Sequence, residues 1–362
     1  MSHSGAVRSP HHENVVSIAG CCGVGAADNT HPMSPPIVYL DLNKWVDLSL
    51  AATGDPRGAR FADVLEIARH GAKSGLVRFP LSSTHYMELA RARFGRTRGD
   101  VGGVMNELSR QETICASTDL LPGEIDRACR NRWGRPTHLR EVAVFGHGAA
   151  HAFASLPEVR YHTPAELQVD DETRRRIEEH FTKQMERALL TGPIADWPLG
   201  GMNPVTQHDP IREQHALQER ELGQLLRSTG YKGEKLRDAW TARMLIELNQ
   251  DIIDAMLRCG LNPDLLTDNG KDGLNQFLYD LPVASAVFEI RYRRHRNTTL
   301  SWTANDINDM HSLAVAVVHC DVVVTEKHMA SVLIEAGLDT RHGTVVLTNL
   351  PALAPHLVTT AA

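Results

Sequence analysis

Residues 301–329, SWTANDINDMHSLAVAVVHCDVVVTEKHM, restrict the fold of this chain more than any other stretch. Thr303 followed three residues later by Asp306 is a capping-box-like helix start. The run Leu313, Ala314, Val315, Ala316, Val317, Val318 predicts a buried helix, and His319-Cys320-Asp321 a turn. Val322-Val323-Val324 is β-branched and unbroken, as a strand covered on both faces of a parallel sheet should be. In open α/β sheets, ligands sit at the carboxyl ends of the strands. Thr325 and Glu326 fall at such an end, and Asp306 and Asp309 lie at the helix start.

The amino-terminal third repeats this grammar. Ile37-Val38-Tyr39-Leu40 predicts a buried strand ending in Asp41 and Asn43, with Lys44 to Leu48 continuing into helix. Phe61, Val64, Leu65 and Ala68 have helical spacing, so about 60–72 reads as an amphipathic helix ended by Gly71 and Gly75. Residues 76–81 predict a second strand, and His85 to Phe94 a second helix carrying Glu88. The order β-α-β-α implies a parallel sheet.

Residues 97–280 lose the strand-like runs. Helices are predicted over 171–190, with Ile177, Phe181, Met185 and Leu189 on one face, and over 211–228 and 234–258. Gly192-Pro193, Trp197-Pro198, Gly200-Gly201 and Asn203-Pro204 mark a long loop. The expectation is a helical insertion without a strand of the central sheet. The pattern then returns: a helix from Leu281 to about Arg296, the 301–329 stretch, a helix over 331–336 and a last strand over 344–347.

A chain of 362 residues with 42% hydrophobic and 23% charged residues is ordinary for a globular protein. No apolar run approaches the ~20 residues of a spanning helix, so no membrane role and a cytoplasmic location are expected. The net charge of −6 gives no global attraction to nucleic acid; any such binding needs a local patch or a metal. The six cysteines form no C-x-x-C pair, which argues for reduced thiols and against a structural zinc site. Residues 1–34 are rich in Ser, His, Gly and Pro and predict a disordered leader. Ile18-Ala19-Gly20-Cys21 looks like a lipoprotein cleavage box but lacks the apolar segment a signal peptide requires.

Asp41, Glu88, Asp309 and Glu326 each fall near the carboxyl end of a predicted strand or at the start of the helix that follows one. Neighbouring strands would make them converge. Clustered carboxylates resist joint ionisation unless a cation neutralises them, and hard oxygen ligands suit Mg²⁺ or Mn²⁺. Such a site suits phosphodiester hydrolysis by one metal, or by two about 3.5–4 Å apart. Asn43 and Thr325 are candidates to orient a water, and Asp306 for a helix cap or a supporting role at the metal. The basic run 291–296, with Arg291, Arg293, Arg294 and Arg296, offers phosphate contacts or a solvated helix end favoured by the dipole. His147 and His151 have the spacing of a zinc pair without a third ligand, and His208-Asp209 lacks the partners of a phosphohydrolase centre.

These motifs resemble the PIN-domain ribonucleases, the family of many toxin–antitoxin nucleases. In that family an Asp opens a helix, small residues follow at +5 and +7, and a strand ends in Thr at +16. Asp309, Ala314, Ala316 and Thr325 stand at those offsets. Asp41 matches the acid closing the family's first strand, and Glu88 the Glu on its second helix. The resemblance covers about 36–96 and 275–355, less than half the chain. It implies a PIN-like doubly wound parallel sheet, in three α/β/α layers. That domain would span 35–96 and 275–362, with a large α-helical insertion over 97–274. It further implies a Mg²⁺- or Mn²⁺-dependent endoribonuclease acting on RNA, or on single-stranded DNA, and a possible protein inhibitor or regulator. Where the family has Asp or Asn two residues after the Thr, this chain has Lys327. Glu326, Asp321 and Asp306 are the alternatives for a fourth acid. The competing expectation is a catalytically silent PIN-like module that binds RNA or a protein partner through the insertion.

Overall fold

Three short strands at the centre of the molecule run parallel. In the computed structural model, which describes residues 34–91, 95–134, 142–154, 156, 160–192, 204–297 and 301–358, the chain is α/β and mostly helical. Its strands are β1 (Val38–Leu40), β2 (Glu112–Ile114), β3 (Phe145–His147), β4 (Val322–Val324) and β5 (Val345–Leu347). β4 lies between β1 and β5, with Val38 opposite Val322 and Val322 opposite Val345. The sequence ends of the described fold therefore meet in one sheet, as expected.

Strand periodicity sends alternate side chains to opposite faces. Val38, Leu40, Val322 and Val324 enter a core with Trp45, Leu48, Leu65 and Phe79. Tyr39 and Val323 enter another with Ile290, Ile307, Leu313 and Val317. Both faces of the sheet are thus covered by helices, which explains why the strands are continuously apolar. A third core joins Ile125 and Cys129 to Trp240, Met256, Phe277 and Phe288, tying the helices Ser117–Trp133, Gly233–Arg258 and Gly270–Tyr279 to Pro282–Arg296. Residues 35–362 cluster as one unit.

The helix Ala304–His319 begins as predicted. The Thr303 N–H donates to Asp306 Oδ2 at 2.7 Å, and Asp306 N–H donates to Thr303 Oγ1 at 3.4 Å. Other expectations need correction. Residues 76–81 do not form a strand but two single bridges, Ile37 to Arg78 and Leu81 to Thr113. Pro80, which lacks an N–H, sits between them and breaks the ladder. The second bridge joins the antiparallel β2–β3 pair to this segment. Residues 97–274, expected to be helical, therefore also contain strands. Gly71 lies inside the helix Ala62–Ser74 and does not end it: a Cβ there would stand 2.6 Å from Val77 Cγ1. Gly75, at φ +70°, caps the helix.

The leader, its lipoprotein-like box, Phe94 and the loop positions 193–203 lie outside the described residues, as do the side chains of His208 and Asp209. Among the described residues no helix is long and apolar enough to cross a membrane. Cys115, Cys129, Cys259 and Cys320 are buried free thiols.

Candidate active site

The chain leaves β1 through Asp41, whose extended backbone (φ −64°, ψ 154°) caps the helix Leu42–Ala52. Asp41 Oδ1 accepts from the Leu42 N–H at 2.8 Å, and Oδ2 accepts from Thr325 Oγ1 at 2.9 Å. Its own N–H donates to Val324 O at 2.9 Å, so the carboxyl ends of β1 and β4 are locked side by side. Thr325 is fully buried, and its N–H donates to Leu347 O at 3.0 Å, extending the lock to β5. Glu326 follows at the surface and accepts from Asn43 Nδ2 at 2.8 Å. The other amide atom of that side chain, Asn43 Oδ1, is buried with no hydrogen-bond partner among the described residues.

Glu88 and Asp309 come from two helices that meet over this sheet edge. Burial first, and then the neighbouring Asp41 against the pull of Arg91, push the Glu88 carboxyl up to about 7. Burial, together with repulsion from Asp41, Glu88, Asp306 and Glu326, pushes Asp309 up to about 9. Asp41 is also raised, chiefly by burial; its bonds from Thr325 and Leu42 and the nearby Lys44 oppose the shift. The four predicted acids thus do share one electrostatic neighbourhood, and it is a strained one. Among the described residues no direct ion pair holds Asp41, Glu88 or Asp309; Lys44 and Arg91 act only from nearby. Among the described residues, no set of three or more His, Cys, Asp or Glu side chains is drawn together tightly enough to hold a metal ion as it stands.

A buried polar layer beneath the acids was missed from the sequence. Thr84 Oγ1 and Ser312 Oγ lie 2.7 Å apart and join the Glu88 helix to the Asp309 helix. Thr84 is four residues before Glu88 and Ser312 three after Asp309, so each sits one turn from an acid on the same helix face. The Tyr39 hydroxyl meets Ser82 Oγ at 3.2 Å, and His85, buried and pushed down to about 4, links Leu40 O at 2.8 Å to the Ser82 N–H at 2.9 Å. The available signal was this helical spacing of hydroxyls from the acids. Lys44, nearly buried, was likewise passed over.

The remaining predicted groups divide. Asp306 caps the helix and pairs with Arg294 at 2.7 Å. Arg294 also donates to Ser301 O at 3.2 Å and lies over Trp302. Arg291 is held between Glu219 and Glu247, each at 2.6 Å, against the Trp240 ring. These two guanidinium groups are spent on internal partners. Arg293 leans on Tyr292, and Arg296 stands exposed at the helix end. Lys327 is exposed at the start of the helix Lys327–Glu335. His151 is occupied on both ring nitrogens, by Thr113 Oγ1 at 2.8 Å and Ala143 O at 2.9 Å, which removes it from any zinc pair with His147.

No family model, no curated protein and no solved structure matches this chain.

Proposed function

We propose that the chain is a metal-dependent nuclease of PIN-like, doubly wound architecture, acting on RNA. The observation that carries the reading is the mutual repulsion of Asp41, Glu88 and Asp309 near the carboxyl ends of β1 and β4, in a partly buried site where Arg91 and Lys44 offset only part of it. The three-layer arrangement around a parallel sheet and the chain order of the acids support the same reading. Carboxylate oxygens with the unpartnered Asn43 Oδ1 are a hard donor set, which fits Mg²⁺ or Mn²⁺. Asp41, Glu88 and Asp309 would hold the ion, with Glu326 reaching in from the rim.

A divalent cation bound there would activate water and stabilise the leaving oxygen of a phosphodiester. The chain's own groups do the positioning. Thr325 and the Leu42 N–H fix the Asp41 carboxylate, leaving it one rotamer. The Thr84–Ser312 bond sets the spacing of the helices bearing Glu88 and Asp309. Glu88, near 7 in the metal-free protein, would give up its proton on holding the ion, so binding should weaken below neutral pH. The test is cleavage of a mixed labelled RNA and single-stranded DNA pool in Mg²⁺, Mn²⁺ or EDTA. Cutting by the parent, abolished by EDTA and by Asp309→Asn, is the expected result; an uncut pool in both metals refutes it.

A second reading, a silent module that binds RNA or a protein, draws on Lys327 and on exposed Leu217, Leu225, Ile246 and Leu257 on the insertion helices. It predicts RNA binding, or capture of a protein partner, that Asp309→Asn leaves intact, with no cutting by either form.

A further inference from the structure

Thr84 and Ser312, which join the helices bearing Glu88 and Asp309, also line a cavity of about 170 Å³. It opens between the helices Ser83–Ala90, Ser117–Trp133, Pro204–Thr229 and Ala304–His319. Its walls are mostly apolar, with Met87 and Ile307 inside and Ile211, an exposed isoleucine, at the mouth. Arg212, His215 and several Ser and Thr residues also line it, together with Asn308 and His311. Asn308 is 5% exposed, and its Nδ2 amide is buried with no hydrogen-bond partner among the described residues. His311 is held through Nδ1 by Ser117 Oγ at 2.7 Å, and its Nε2 has no partner among the described residues.

A buried primary amide without a partner costs roughly 1–3 kcal/mol, so its retention asks for a ligand. The ligand must be flat enough for a narrow slot, apolar on its faces and hydrogen-bonding on its edge. Arg212 in the lining suits the phosphate attached to such a ligand, but free phosphate alone would leave the apolar part of the wall uncovered. The cavity is also too small for a drug-sized molecule, whose pockets span about 300–1,000 Å³. A single nucleobase has the required form, because an unpaired base presents π-faces to apolar walls and a donor–acceptor edge to an amide. The position agrees: Asn308 adjoins Asp309, and Thr84 and Ser312 lie on the helices that bear Glu88 and Asp309.

We propose that this cavity is a base-reading subsite: it takes one unpaired nucleobase of the substrate strand next to the cut phosphate, and Asn308 with His311 Nε2 reads its edge. The proposal rests on the nuclease reading for its biological use, but the base site itself does not require cutting. Asn308 is then a specificity residue, distinct from the groups that hold the ion.

The experiment has two arms. First, the four nucleoside 5′-monophosphates are titrated in EDTA into the parent and into Asn308→Leu, by ligand-observed NMR. One base should bind at least about fivefold better than the weakest, since a bidentate amide contact discriminates by about 1–3 kcal/mol, and Asn308→Leu should erase that preference. Equal or absent binding of all four, or a preference that survives the substitution, overturns the subsite. Second, a random-sequence RNA is cut in Mn²⁺ and its ends sequenced: the parent should prefer the same base at one position beside the cut, and the variant should not. Selective base binding with no cutting at all overturns the nuclease reading and leaves the base site standing. Cutting without base preference does the reverse. Melting of Asn308→Leu at or above the parent temperature, expected on removing an unpaired buried amide, shows that the fold is kept.

Discussion

Asp309→Asn should stabilise the metal-free protein at alkaline pH while abolishing its activity. Asp309 is raised from an ordinary carboxyl value of 3.8 to about 9, first by burial and then by the surrounding acids. Between those values the folded chain holds a proton that the unfolded chain has released. Stability therefore falls as pH rises through that window, by about 1.4 kcal/mol per pH unit for one group. Acting alone to pH 8, this would amount to ~6 kcal/mol. Solvent reaching the open rim reduces it, and about half, ~3 kcal/mol, is the expected size. Asparagine cannot ionise, and it also relieves Glu88 and Asp41. In EDTA at pH 8 the variant should melt roughly 5 °C higher than the parent, with the two nearly equal at pH 4. Adding Mg²⁺ at a hundredfold excess over its dissociation constant should return ~2.7 kcal/mol to the parent and much less to the variant. The assay is urea and thermal unfolding at pH 4, 6 and 8, with and without Mg²⁺. A parent indifferent to pH from 4 to 8, or an Asp309→Asn variant that melts lower at pH 8, refutes the idea of a carboxylate cluster short of a cation.

Other residues give sharper local tests. Arg291→Ala should cost about 1.5–3 kcal/mol, because buried Glu219 is left with His295 alone and half-exposed Glu247 with Arg243; chemical denaturation measures it. Arg294→Gln should lower stability by ~1–2 kcal/mol through loss of the Asp306 pair, and leave the salt dependence of RNA binding unchanged. A salt slope reduced by about one would instead make Arg294 a phosphate contact. Thr84→Val and Ser312→Ala should each cost roughly 1–2 kcal/mol, but the double variant less than their sum, since no unpaired hydroxyl remains; a double-mutant cycle reads the coupling. Full additivity would mean that the two hydroxyls do not support each other.

The legible parts of this sequence were those in which local and tertiary preferences agree. Thr303 and Asp306 form a cap that needs nothing beyond the next turn, and Val322–Val324 can be satisfied only between two covered faces. Asp41 could be placed because an acid after a buried strand must leave the sheet at its carboxyl end. β2 and β3 were illegible: three residues each, one holding Gly146, are too short for alternation to show. Residues 76–81 looked strand-like, and only the pairing geometry reveals how Pro80 divides them. Phe181 has core spacing yet is 46% exposed, because the helix Asp171–Thr191 buries only its last turns, through Glu186, Leu189 and Leu190. The basic run 291–296 misled for a different reason. The carboxylates that claim Arg291 lie 44 and 72 residues away, on helices whose docking no local pattern encodes.

Those long-range pairs also give these helices a structural role at the site. Glu219 on the helix Pro204–Thr229 and Glu247 on Gly233–Arg258 clamp Arg291, and Arg237 pairs with the nearly buried Glu289 on the same receiving helix, Pro282–Arg296. One turn further on, Arg294 of that helix pairs with Asp306, the cap of the helix that carries Asp309 and Asn308. A series of partly buried charged contacts thus runs from the helices Pro204–Thr229 and Gly233–Arg258 through Pro282–Arg296 to the acid-bearing helix. Such contacts contribute little net stability but fix register strongly, because each displaced partner leaves a buried charge unmet. On this argument the helices Pro204–Thr229 and Gly233–Arg258 are not appendages to the sheet. Their ion pairs hold the helix Pro282–Arg296, which in turn meets the start of the helix bearing Asp309, and Ile211 and Arg212 line the cavity.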